Sequence, residues 1–112
     1  MRTVKLSDAT PYDPDHIVAE GLLAASQSNV RMIRLSPGQA LPPHTHGASD
    51  LFLYAVEGSG SLDTADGTIA FEAGTLAHYS GDEELRVTND GADGLTLLAF
   101  LAPVFPPTQP AS

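Results

Sequence analysis

The sequence predicts an all-β domain, an antiparallel sandwich or barrel. Three observations carry that prediction. Short β-prone runs recur at regular spacing, Gly- and Asp-containing turns separate them, and no stretch shows convincing helical periodicity. At 112 residues the chain suffices for one domain with an adequate core, and a hydrophobic content of 42% excludes general disorder.

Residues 2–6 (RTVKL) read as a short strand, and SDATPYDPD after them is turn-rich with two prolines. Residues 16–27 (HIVAEGLLAASQ) have a helix-compatible composition. Gly21 interrupts them and their apolar spacing is poor, so they read as a strand or strand pair. Asn29–Leu35 alternates with period two, placing Val30, Met32 and Arg34 on one face and Arg31, Ile33 and Leu35 on the other. Ser36-Pro37-Gly38 forms a turn, Pro fixing φ and Gly permitting the reversal. Further strands follow at 51–56, 61–64, 68–71, 75–79, 85–88 and 95–101, with Ala65-Asp66-Gly67 as a hairpin signal. The segment 103–112 holds four prolines and cannot join a central strand. The single domain thus divides into N-terminal strands and turns (1–29), a barrel core (30–102) and a proline-rich tail (103–112).

Composition narrows the function. The net charge is −9 with only five Lys and Arg, so neither nucleic acid nor an anionic membrane surface is an expected partner. No apolar run approaches a bilayer-spanning length. The start, MRTVKLSDATPYDPD, lacks an apolar signal region, which predicts a cytoplasmic location. Cysteine is absent, removing disulfide and thiolate chemistry. No serine sits in a context that ties it to a histidine and an acid, and Gly58-Ser59-Gly60 is not a phosphate loop.

The chemistry concentrates in residues 37–58, PGQALPPHTHGASDLFLYAVEG. Gly38 is followed by five residues, His44-Thr45-His46, four residues, Leu51, six residues and Gly58. That spacing resembles the first motif of the cupin family, with Leu51 where the family has Glu. Downstream, Gly74 and Asn89 fit the second motif, while Ser80, Asp82 and Leu85 replace its Pro, Gly and His. The resemblance implies an antiparallel double-sheet jelly roll (cupin β-barrel) whose interior site holds a metal with three histidines and a glutamate. Only His44 and His46 carry over. On a strand these alternate positions share a face, so both imidazoles can converge on one ion.

Three residues are candidates to complete the shell. His78 follows Gly74 by four residues, and a β-bulge would turn Asp50 or Glu84 inward in place of the adjacent leucine. The regular register instead leaves both acids in water, and that is the favoured reading. In it Leu51, Leu53, Leu85 and Val87 line an apolar cavity beneath the histidine pair. Arg31 and Arg34 read as surface charges; an inward-turned one would suit a substrate carboxylate or phosphate.

The expected function is small-molecule binding in the barrel, around a weak, substoichiometric divalent ion (Zn, Fe, Mn or Ni) at His44 and His46. The resemblance also implies an alternative, a metal-dependent oxygenase, lyase or isomerase. A metal-free sensor or binding module is the third reading. Leu51 and Leu85 favour binding, whereas the retained His-x-His favours metal chemistry. Two-sided hydrophobicity in residues 51–56 and the apolar run 17–25 predict a homodimer formed through a barrel sheet.

Overall fold

The computed structural model describes residues 1–106. Among them are a 3₁₀ turn, Leu6–Asp8, and nine strands: β1 (Val18–Ala24), β2 (Asn29–Leu35), β3 (Ala40–His44), β4 (Asp50–Glu57), β5 (Ser59–Thr64), β6 (Gly67–Glu72), β7 (Leu76–Tyr79), β8 (Leu85–Thr88) and β9 (Leu95–Ala102). They form two antiparallel sheets, β1-β2-β9-β4-β7 and β3-β8-β5-β6, wound as a jelly roll. No helix among the described residues is long and apolar enough to cross a membrane.

Alternation decides which residues meet inside. On β4, Leu51, Leu53 and Ala55 are buried while Asp50 and Phe52 are exposed. On β2, Ile33 and Leu35 enter the same core, which also takes Leu62, Phe71, Leu85, Val87 and Leu97. Side chains of period two from facing sheets fill a closed interior. Two tight turns fix the register. Thr64 pairs with Gly67, leaving Ala65-Asp66 as a two-residue hairpin loop. Between β4 and β5, Gly58 adopts φ +84°, and a Cβ there would lie 2.1 Å from the Gly94 carbonyl oxygen. No other residue fits that crossing.

The expected strand at 2–6 does not form. The Lys5 and Leu6 carbonyls instead close the 3₁₀ turn, accepting from Asp8 N–H (3.0 Å) and Ala9 N–H (3.1 Å), and the Arg34 guanidinium donates to Leu6 O (2.9 Å) and Thr10 O (2.7 Å) and lies over the Tyr12 ring. Arg34 and Met32 share the outer face of β2, and Met32 is fully buried there, outside the main core cluster. Tyr12 then reaches Glu57 and Thr96, while Asp13 O accepts from Ser36 and Gln39. The N-terminal segment therefore clasps the end of the barrel marked by Leu35 and Leu95. The opposite end, near Arg31, Ala99 and Leu101, is where the site lies.

Candidate functional site

Proline chemistry sets the geometry of the histidine pair. Pro42 and Pro43 have no N–H to donate, and the β3–β8 ladder shifts register between Leu41↔Val87 and His44↔Leu85. β3 ends at His44, so His46 follows in a loop rather than on the same strand. Its backbone N–H donates to Gly81 O (2.8 Å), which turns the ring back toward His44. The two ring centroids are 4.6 Å apart and tilted by 59°.

The two imidazoles differ in environment. His44 is exposed, and its Nδ1–H donates to Pro42 O (2.9 Å), leaving the Nε2 lone pair free. His46 is only 3% exposed, and its buried Nδ1 has no partner among the described residues. Burial, with His44 beside it, holds the His46 pKa below the ordinary imidazole value, so the ring favours the neutral form. The ring of Phe105 meets His46 edge-on at 5.2 Å. Asn29 holds Phe105 in place by donating to its carbonyl oxygen (2.7 Å) and accepting from its N–H (2.9 Å).

These groups border a cavity of about 330 Å³ open at the barrel mouth. Its walls are apolar, with Ile33, Leu85, Leu101 and Phe105 prominent, and its polar side chains are His44, His46 and Arg31. Leu85 lies directly opposite His44 in the ladder. Leu51, Leu53 and Val87 also point inward, but they sit at 0–1% exposure in the packed core and do not line the cavity. That corrects the expectation that all four would line one space; neighbouring core side chains fill the room beside these three.

The three candidate completing ligands lie elsewhere. His78 is on the outer face of β7, its Nε2 3.1 Å from Asp50 Oδ1, and both side chains are about half exposed or more (47% and 61%). Glu84 is likewise outside, paired with Arg86. The regular register runs through Asp50 and Leu51, opposite Ala102 and Leu101; the β4–β9 irregularity falls between Ala55 and Glu57 instead. No bulge turns either acid inward.

This donor set does not fit a resident four-ligand ion. Two imidazoles converge, leucines occupy the remaining positions, and no group of three His, Cys, Asp or Glu capable of holding a metal exists among the described residues. Two further residues line the cavity, Arg31 and Phe105. Arg31 shares the inward face of β2 with Ile33 and Leu35, which alternation foretells. Phe105 gives no such signal, because its position depends on Asn29, 76 residues away.

A two-sheet barrel with a histidine pair at its mouth defines the class: a small jelly-roll protein. The family model for the cupin domain matches residues 31–101, and the chain belongs to that family. Its structure is similar to that of a protein of Thermus thermophilus (TM-score 0.83, 25% identity, covering 93% of this chain and 99% of that one). It is also similar to a predicted oxalate decarboxylase from Thermotoga maritima (TM-score 0.76, 19% identity, 90% and 98% covered). A third likeness is the cupin domain of an XRE family transcriptional regulator from Enterobacter cloacae (TM-score 0.65, 14% identity, 77% and 95% covered). No curated protein is similar enough in sequence to match this chain. The fold is thus shared by enzymes and regulatory domains.

Proposed function

We propose that this chain is a binding protein for a small, largely apolar molecule held in the barrel mouth. One observation carries the reading: an apolar cavity of about 330 Å³ whose wall holds a buried His46 Nδ1 with no partner among the described residues. Such cavities are lined mainly by hydrocarbon, and a few polar groups orient the ligand. The leucine opposite His44 removes a donor from the wall and adds apolar contact. A divalent ion at His44 and His46 is held loosely, since two donors fall short of the usual three or four. The outward aromatic pair Phe52 and Phe100, directly opposite in the β4–β9 ladder, supports a homodimer through that sheet face.

Ala19 gives the test. It lies opposite Ile33 in the β1–β2 ladder, is exposed, and borders the cavity, so Ala19→Trp blocks the mouth without disturbing the core. A fragment screen followed by ¹⁵N NMR should give shifts clustered at His44, His46, Leu85 and Leu101 that vanish in Ala19→Trp. Shifts that persist in that variant, or no binding by any fragment, would refute the reading.

A further inference from the structure

We propose that the ligand carries a single negative charge, a monocarboxylate on an apolar body, and that Arg31 receives it. This rests on the binding reading above and names its ligand class. Arg31 borders the cavity from β2, where its ladder neighbours are Gly21 on β1 and Ala99 on β9. Those neighbours leave the guanidinium uncrowded and offer it no carboxylate. Among the described residues, Arg31 makes no side-chain hydrogen bond or ion pair, whereas Arg2 binds Ala24 O, Arg34 binds Leu6 O and Thr10 O, and Arg86 binds Glu84. In a chain of net charge −9, no Asp or Glu among the described residues borders this cavity. Among the described residues, acids are kept from this apolar pocket while the Arg31 cation stands unneutralised at its rim.

The chemistry of that arrangement selects the ligand. A guanidinium presents a planar fork that matches a carboxylate with two parallel N–H···O bonds. Arg31 is half-buried, so its charge acts through a less screened medium than bulk water. One cation beside apolar walls balances one anionic head with hydrocarbon behind it. A multiply charged anion would meet the repulsion of the whole acidic chain with only one cation to offset it.

The probes are phenylacetate and phenylacetamide, equal in shape and different in charge, titrated calorimetrically into the full chain. Wild type should bind phenylacetate at least about tenfold more tightly than the amide, as a charge-assisted bidentate pair provides. Arg31→Gln should abolish that preference while leaving the melting temperature unchanged. Arg86→Gln removes the same charge away from the cavity and should keep the preference. Equal binding of acid and amide by wild type, or a preference that survives in Arg31→Gln, overturns the anion assignment and leaves the pocket reading standing. Binding of neither probe overturns both.

Discussion

His78 Nε2 donates to Asp50 Oδ1 at 3.1 Å on the outer face of the barrel, with the Phe52 ring stacked on the imidazole at 4.9 Å. This contact faces solvent, and an exposed pair of this kind contributes about 0–1 kcal/mol. It also fixes β7 with His78 outward, because the Phe52↔His78 register couples the two positions. His78 and Asp50 thus stabilise each other rather than the cavity.

Metal affinity should follow that division. Wild-type protein purified without a histidine tag should carry substoichiometric divalent metal, and chelation should leave its melting temperature unchanged. Asp50→Asn and His78→Gln should leave metal affinity unaltered. Leu85→His places an imidazole opposite His44, and with Leu51→Glu it should raise affinity by about a hundredfold or more. Each change alone should cost about 1–3 kcal/mol of metal-free stability by burying a polar group without full partners. Calorimetric metal titration of these five variants decides; no gain in the double leucine variant contradicts the inward placement of both positions.

The Tyr12 clasp gives a pH dependence. Hydrogen bonds from Tyr12 and Thr96 hold the Glu57 carboxyl below its ordinary value of 4.5. A carboxyl with a lowered folded value contributes stability that is full above the unfolded value and is lost as pH falls through the folded one. Tyr12→Phe should therefore cost about 0.5–1.5 kcal/mol at neutral pH, toward the low end because Glu57 is exposed. The gap to wild type should narrow in strong acid. Urea unfolding at neutral and acidic pH measures both; a gap that widens in acid contradicts the assignment.

The pieces of the fold differed in how plainly the sequence displayed them. Asn29–Leu35 and the strands after it were readable because one face of each meets the core, and period-two patterning records that directly. Residues 2–6 misled because their β-prone composition carries no information about the 3₁₀ turn that takes the Lys5 and Leu6 carbonyls. His44 and His46 were readable as a pair from spacing, yet their convergence comes from a proline-broken ladder and a loop, not from a shared strand face. His78 could not be assigned from spacing alone, since one residue of register moves it between core and solvent.

Asn89 is fully buried; its Nδ2 donates to Leu35 O (2.8 Å) and Asp93 O (2.9 Å), and its Oδ1 accepts from Gly91 N–H (3.0 Å). Asn89→Ala should lose about 2–4 kcal/mol, the sum of three such bonds. Asn89→Asp should also destabilise, because a carboxylate cannot donate to either carbonyl. Thermal unfolding measures both, and a loss below about 1 kcal/mol for the alanine variant contradicts the role, as a surface position would behave that way.

Phe52 and Phe100 remain 49% and 40% exposed on the outer sheet face. The double variant Phe52→Ser, Phe100→Ser should convert a dimer to a monomer with the barrel intact. Light scattering at micromolar concentration, with circular dichroism for the fold, reads the outcome. A monomeric wild type contradicts the proposed interface.

Gly58 and Asn89 are among the letters by which the family is recognised, and here both answer to the path of the backbone. Leu51 and Leu85, by contrast, are simply buried in the interior of the barrel. Ancestry and chemistry are therefore written in different residues. A side chain at Gly58 would drive into the Gly94 carbonyl oxygen, so this position answers to the barrel's closure before any activity is at stake.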